Sequence, residues 1–143
     1  MVDEEIKNEP ANRPPRVEPR IVAAPAIRQI YWCDFWPDAQ LPEMWKRRPV
    51  VIVSYKNRLH GPCLVAACST DPQEGGAAQW AHKLSVSLDG RDTWAVCNHL
   101  YTVAPSRLSV DRGGIRRLPE AEFNEILAKV LAWLPKLPEP GGT

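Results

Sequence analysis

The run Pro49-Val50-Val51-Ile52-Val53-Ser54 places the strongest constraint on how this chain folds. Four consecutive β-branched residues without a polar interruption are typical of a strand that is buried on both faces. Such a strand needs neighbouring strands beside it and packing layers above and below it. We therefore expect a buried strand over residues 49–54, within a β-rich domain.

Further strand-like segments and one amphipathic segment surround this run. Asp89-Gly90 between two apolar segments is typical of a hairpin turn. Only residues 119–134 have apolar side chains at helical spacing, with Pro119 suited to the first turn and Pro135 ending the helix. The pattern indicates a mainly β (α+β) fold, a small antiparallel β-barrel with a C-terminal α-helix. The remaining strands are predicted at 30–35, 63–68, 84–88, 93–97, 101–103 and 106–110.

The two ends of the chain differ in composition from its middle. Residues 1–26 contain five prolines and no aromatic residue. A segment of this kind buries too little apolar surface to offset its ordering entropy, so we expect a disordered or extended arm. The tail 135–143 has three prolines and is expected to fray. The predicted folded domain is 27–134.

Charge, hydropathy and cysteine spacing exclude several classes of function. The 18 Lys and Arg residues against 17 Asp and Glu argue against a polybasic nucleic-acid coat and a membrane-surface binder. No apolar run approaches the roughly 18 residues of a membrane span, and residues 1–25 lack the apolar core of a signal peptide. We expect a cytoplasmic protein with no membrane contact. The cysteines form no CxxC pair, which favours buried thiols over a metal site: Cys33, Cys63, Cys68 and Cys97.

The loop before the buried strand is the first candidate site. Lys46, Arg47 and Arg48 follow Trp45 directly. Consecutive cations beside an aromatic ring can attract phosphate and stack a base, although a solvated basic loop has the same composition. Arg48 is the strongest candidate, because Pro49 fixes the backbone that follows it.

Two other polar interruptions are candidates. Ser69-Thr70-Asp71 ends the 63–68 strand, where hydroxyls commonly cap their own turn. Asn98-His99 interrupts an apolar strand. His99 could act as a general acid or base, or it could be a structural histidine.

In their order along the chain these segments resemble the MazF/PemK (Kid) family, the endoribonuclease toxins of type II toxin–antitoxin operons. The resemblance covers residues 27–134 and includes the closing helix. It rests on Ile30-Tyr-Trp-Cys-Asp-Phe35, on Glu43 with Arg48-Pro49 following it, and on the hydroxyl pair Ser69-Thr70. The implied fold is an SH3-like β-barrel, which the family shares with CcdB.

The resemblance implies a site and a reaction. Arg48 matches the family's catalytic arginine, Ser69 its catalytic threonine, and Glu43 the acidic residue of the first loop. The family cleaves single-stranded RNA by attack of the ribose 2′-hydroxyl on phosphorus, leaving a 2′,3′-cyclic phosphate. It uses neither a metal ion nor a cofactor. His99 is a further catalytic candidate.

The region 96–103 resembles the family's Cys-Asp-Gln-(Ile/Pro)-Arg-Thr-(Ile/Val) segment with departures. Asn98 stands at an acidic position and Tyr101 at an arginine position, and neither supplies the missing charge. Trp36 is a possible stacking residue, or alternatively part of the barrel core or of a dimer contact. The candidate RNA-binding residues are Lys46, Arg47, Thr70, Trp45, Asn98 and Tyr101.

The resemblance also implies partners. It predicts a homodimer, and a cognate antitoxin whose acidic, disordered tail competes with RNA for the same groove. One alternative is an inactive MazF-like or CcdB-like binding module that sequesters an antitoxin or inhibits gyrase. The Trp-Gly-Ile ending of CcdB is not found in this sequence, which closes with Pro-Gly-Gly-Thr. Another alternative is an unrelated barrel that uses the proline-rich arm for protein docking.

Overall fold

The computed structural model describes residues 12–141. Within this range the chain forms seven β-strands and the helix α1, Glu120–Trp133, with short 3₁₀ helices at Gly75–Trp80 and Pro105–Arg107. The strands are β1 Gln29–Asp34, β2 Arg47–Ile52, β3 Cys63–Ser69, β4 Ala81–Lys83, β5 Trp94–Val103, β6 Leu108–Ser109 and β7 Arg116–Arg117.

The strands form one antiparallel sheet in the order β4-β5-β3-β2-β1-β6, and β7 pairs with the start of β1. The sheet curves into a half-barrel with α1 after its last strand. This arrangement confirms the predicted mainly β fold with a C-terminal helix. Strand β2 lies inside the sheet, and Val50, Val51 and Ile52 are fully buried, as their uninterrupted apolar run indicates.

Side chains on the two faces of the sheet build two apolar layers. Val50 and Ile52 point into one layer, whereas Val51 and Val53 point into the other. Helix α1 covers the second layer with three side chains: Phe123, Ile126 and Val130. Within residues 12–141 no helix covers the first layer, which is closed by other segments of the chain, including Phe35, Met44 and Ile21.

The arm differs from its prediction where the structure describes it. Residues 1–11 of the predicted arm lie outside the described residues. Ile21, however, is only 5% exposed within the first layer, and Pro25 is also buried. Arg20 forms an ion pair of 2.9 Å with Asp34 at the end of β1. The average composition of residues 1–26 predicts an arm without buried side chains. Ile21 nevertheless packs into the first layer, which α1 does not cover.

The hairpin also differs from its prediction. The expected strand at 84–88 was wrong, because the segment that pairs with β5 is β4. Apolar and polar residues alternate over 84–88 because Leu84 and Leu88 are buried in the second layer, not because the segment is a strand. Asp89 and Gly90 do form a turn, with positive φ angles of 53° and 69°. Strand β5 unites the predicted strands at 93–97 and 101–103.

The four cysteines are buried and unpaired, as small apolar side chains. Burial raises the pKa of Cys33 to about 12 and that of Cys63 to about 11, so neither thiol ionises near neutral pH. Among the described helices, none has the length and apolar character needed to cross a membrane. Residues 135–141 are exposed and lie outside any helix or strand.

Candidate active site

A groove of about 140 Å³ lies where β1, the start of β2 and the end of β3 meet the turn at 88–91. Its polar lining carries four cationic side chains against one carboxylate, that of Asp89. Because positive charges outnumber negative ones in a confined space, the groove favours an anionic ligand. We call it the basic groove; it is lined by Trp32, Lys46, Arg47, Arg48, Pro49, Cys68, Thr70, Leu88, Asp89 and Arg91.

The Arg48 backbone belongs to β2, and its side chain is held by one hydrogen bond. It lies on β2 opposite Cys33, it is half-buried, and its Nε donates to the carbonyl oxygen of Trp45 at 2.9 Å. Its guanidinium carbon lies 6.0 Å from the centre of the Trp45 ring. Among residues 12–141 it forms no ion pair with a carboxylate. The terminal N–H groups of Arg48 are therefore available to a bound phosphate.

Glu43 is turned into its own loop. Its Oε1 accepts the backbone N–H of Gln40 at 2.8 Å, and its own N–H donates to the Gln40 carbonyl oxygen at 2.8 Å. Glu43 is exposed and does not pair with Arg48. In this conformation its carboxylate stabilises the loop that precedes β2.

The hydroxyl pair divides between a turn and the groove. Ser69 is 6% exposed at the end of β3, and its Oγ accepts the backbone N–H of Asp71 at 3.1 Å. This is the local cap that the sequence allows as an alternative to catalysis. A hydroxyl that accepts one hydrogen bond still has its proton to donate. Thr70 lines the basic groove together with Arg48.

His99 lies on β5, which is separated by β3 from β2, the strand that carries Arg48. The ring is half-buried, and within the described chain its Nδ1 is buried without a hydrogen-bond partner. Burial, followed by the positive charge of Arg48, lowers the pKa of His99 below its ordinary value. The imidazole is therefore neutral at pH 7 and has one nitrogen able to accept a proton. Asn98 is half-buried next to it on the same strand.

Tyr101 contacts the first loop instead of the groove. Its hydroxyl accepts the backbone N–H of Met44 at 2.8 Å, and its ring packs edge-on against Phe35 at a centroid distance of 5.0 Å. Trp36 joins the same cluster, 5.9 Å from the Tyr101 ring, and is covered by Arg107. Tyr101 thus fixes the loop that leads to Arg48.

Trp45 keeps 49% of its surface exposed, unlike Trp36. The Lys46 ammonium lies 5.1 Å from the centre of the Trp45 ring. Trp45 therefore combines an accessible aromatic face with a nearby cation, at the edge of the basic groove.

Sequence reasoning missed three residues that shape this region. Trp32 and Arg91 line the groove, and Asp111 accepts the indole N–H of Trp32 at 2.7 Å. The signal for Asp111 was present, because Asp followed two residues later by Gly favours a side-chain-to-backbone turn, and its Oδ2 accepts the Gly113 N–H at 3.1 Å. No local pattern predicts that this carboxylate reaches Trp32.

A larger cavity of about 860 Å³ lies between the arm and the loop at 59–62. It contains none of the sequence-predicted site residues. Within residues 12–141, no three His, Cys, Asp or Glu side chains are grouped closely enough to hold a metal ion.

The model for the PemK-like, MazF-like toxins of type II toxin-antitoxin systems matches residues 27–134. The chain belongs to this family. The match covers both walls of the basic groove, from β1 to the end of α1.

Solved structures share the fold at low identity. MazF from Deinococcus radiodurans is 15% identical, with a TM-score of 0.61 over 78% of this chain and 96% of that one. An endoribonuclease in complex with its cognate antitoxin, from a mycobacterial species, is 19% identical over 80% and 100% of the two chains, with a TM-score of 0.58. A second mycobacterial endoribonuclease is 17% identical over 80% and 94%, with a TM-score of 0.57. No curated protein matches the chain significantly.

At such identities the likeness shows the MazF-like fold alone. The residues of this PemK-like toxin therefore have to be assigned from their own geometry. That geometry brings Arg48, Thr70, Lys46 and Arg47 to one groove and turns Glu43 toward Gln40, whereas His99 is outside the lining of that groove.

Proposed function

We propose that this chain is a toxin that cleaves single-stranded RNA as a metal-independent endoribonuclease. The observation that supports this most strongly is the half-buried Arg48, which carries no ion pair among the described residues and lines a groove with three other cations. A fixed guanidinium without a carboxylate is suited to bind a phosphate that enters from outside.

In the proposed reaction the ribose 2′-oxygen attacks the adjacent phosphorus while the bond to the 5′-oxygen of the next nucleotide breaks. The products are a 2′,3′-cyclic phosphate and a free 5′-hydroxyl. Negative charge grows on the phosphorane oxygens, and the Arg48 fork stabilises that charge. One such donor is typically worth about 3–4 kcal/mol, or about 10²–10³ in rate. The hydroxyl of Thr70 or Ser69 adds a neutral donor.

The proton of the 2′-hydroxyl must be accepted as the attack proceeds, and the departing 5′-oxygen must take up a proton from the protonated base or from water. We assign this role to His99 ahead of Glu43. The buried Nδ1 of His99 has no hydrogen-bond partner within the described chain, and burial together with the charge of Arg48 keeps the pKa of His99 below its ordinary value. Glu43 would first have to release the Gln40 N–H.

The proposed partners follow from the charge of the groove. An antitoxin segment that is acidic and extended would present carboxylates to the same cations that bind RNA phosphates. We further propose that the toxin acts as a homodimer in the cytoplasm. One structural neighbour is described as bound to its cognate antitoxin, which supports the antitoxin as a partner of this chain.

The test is a cleavage assay on end-labelled single-stranded RNA in the presence of EDTA. We expect cleavage that leaves a 5′-hydroxyl and a cyclic phosphate, and no cleavage of the matched DNA oligonucleotide, which lacks the 2′-hydroxyl. Arg48→Ala should lower the rate by about 10²–10³. Loss of activity on chelation, or cleavage of the DNA control, would contradict the mechanism. Tight antitoxin binding without any cleavage would favour the non-catalytic binding module.

A further inference from the structure

Trp32 is fixed in the wall of the basic groove by a buried acid. Its indole N–H donates to Asp111 Oδ1 at 2.7 Å, while Asp111 Oδ2 accepts the Gly113 N–H and lies 3.9 Å from the Arg116 guanidinium. Asp111 is only 8% exposed. The hydrogen bond from Trp32, followed by those from the backbone and the charge of Arg116, holds the pKa of Asp111 below its ordinary value against the opposing effect of burial. The indole ring therefore has one orientation.

Arg47 lies over this ring. Its guanidinium carbon is 4.5 Å from the centre of the Trp32 ring, and its Nη2 is 3.4 Å from the hydroxyl oxygen of Ser109, the residue opposite Trp32 on β6. These two contacts hold the Arg47 guanidinium over the indole ring. Arg47 is exposed and forms no ion pair within residues 12–141.

The two neighbouring arginines thus differ in what they can bind. Arg48 is half-buried, and its Nε is already used by the Trp45 carbonyl, so its free edge suits a phosphate. Arg47 lies over Trp32, lines the groove and is exposed, so the side of its guanidinium away from the indole is open to a ligand. A planar guanidinium stacked on an aromatic ring extends the stack, and its open face can take a further flat group. In single-stranded nucleic acids the flat group is an unstacked base.

We propose that Trp32 and Arg47 form a nucleobase-binding subsite of the basic groove. A base of the single-stranded ligand stacks on the outer face of Arg47, while Arg48 binds a backbone phosphate. The proposal rests on the proposed function in taking single-stranded RNA as the ligand. Because every base has a π-face, the subsite tolerates all four bases, and it fixes the position of the strand rather than its sequence.

The test measures binding separately from cleavage. The full chain is titrated with a fluorescein-labelled 2′-O-methyl RNA oligonucleotide, which cannot be cleaved by 2′-oxygen attack, and with a series in which each base in turn is removed. Base stacking is worth roughly 1–3 kcal/mol, so we expect one abasic position to weaken binding roughly 5- to 150-fold. Arg47→Lys keeps the positive charge but removes the planar guanidinium group. It should weaken binding of the intact oligonucleotide by a similar factor. It should not weaken further the binding of the oligonucleotide that lacks the stacked base.

Equal weakening by Arg47→Lys on the intact oligonucleotide and on every abasic oligonucleotide would overturn the subsite, since Arg47 would then act only through phosphate. Unchanged binding in Arg47→Lys would also overturn it. A second variant, Trp32→Phe, removes the N–H to Asp111 and keeps an aromatic ring; its Tm shows whether the fold is intact. Wild-type protein that binds the oligonucleotide as expected but never cleaves RNA would contradict the proposed function and leave the subsite standing.

Discussion

Charged side chains have different partners in the basic groove and at the contact between α1 and β4. At the helix, Glu122 accepts hydrogen bonds from His82 Nε2 at 3.0 Å and from the backbone N–H of Ser85 at 2.9 Å, and it also accepts the Ser85 hydroxyl. In the groove, Arg47 and Arg48 have no carboxylate partner among the described residues.

The groove cations contact aromatic rings instead. The Arg47 guanidinium lies over the Trp32 ring, and both Lys46 and Arg48 lie near Trp45. A ring orients a cation without neutralising it, whereas a carboxylate cancels its charge. In this comparison the carboxylate of Glu122 joins α1 to the segment at 82–85, whereas the groove cations keep their charge available to an anionic ligand.

The stability effect of an uncharged buried residue in the arm serves as the reference for these comparisons. Ile21→Ala removes a side chain that is 5% exposed in the first apolar layer, and we expect a loss of about 2–5 kcal/mol of unfolding free energy. The Tm should fall by on the order of 10 °C in a thermal melt. Val22→Ala, at a neighbouring position that is 95% exposed, is the matched control and should leave Tm almost unchanged. Equal melting of the two variants would show that the arm is not part of the core.

The paired side of the comparison is tested by Glu122→Gln. The change leaves the Ser85 and His82 groups with a weaker acceptor, and we expect about 1–3 kcal/mol of lost stability. Glu125→Gln, at an exposed position of the same helix, should change stability by less than about 0.5 kcal/mol.

The pH dependence of this pair has a definite sign. Burial raises the pKa of Glu122, but the hydrogen bonds from Ser85 and His82 outweigh burial and leave that pKa below its ordinary value. Its contribution is therefore complete above the unfolded pKa and is lost as the pH falls through the folded one. Wild type should lose stability below about pH 4.5 more steeply than Glu122→Gln. Parallel stability curves for the two proteins would rule out this contribution.

A smaller loss of stability is expected from the neutral hydroxyl of Tyr101, which fixes the loop that leads to Arg48. Tyr101→Phe removes the hydroxyl that accepts the Met44 N–H, a hydrogen bond worth about 1 kcal/mol. We expect faster hydrogen exchange at the Met44 amide and a loss of several-fold in kcat, because the loop before Arg48 is less fixed. Tyr55→Phe, at a residue that is 69% exposed, is the control. Unchanged exchange at Met44 would remove Tyr101 from this positioning role.

The fold could be predicted where local pattern and burial agree. The run at 49–54 and the helix at 119–134 carry their own periodicity, and both elements are found within two residues of the expected bounds. The strand expected at 84–88 failed because alternating burial against the sheet has the same period as a strand. Ile21 was missed because a single apolar residue has no period at all.

The site was harder to predict because the hydrogen-bond partners of its side chains lie on segments that are distant in the sequence. The sequence places Arg48 after a loop and at a buried strand, which predicts a guanidinium held in place; in the structure its Nε donates to the Trp45 carbonyl oxygen. It does not indicate that Glu43 turns back to Gln40, or that Tyr101 reaches Met44 from a strand that lies 57 residues further along the chain. The sequence indicates Trp32 only as part of a strand, since its partner Asp111 lies in a distant turn.

The most direct measurement is the single-turnover rate of RNA cleavage by Arg48→Ala beside that of Glu122→Gln, at a temperature where both variants are folded by their melts. If unpaired groove cations serve the ligand and paired charges serve the fold, Arg48→Ala loses about 10²–10³ in rate with little change in Tm. Glu122→Gln then melts earlier and cleaves at nearly the wild-type rate. Cleavage by Arg48→Ala at the wild-type rate would contradict the account.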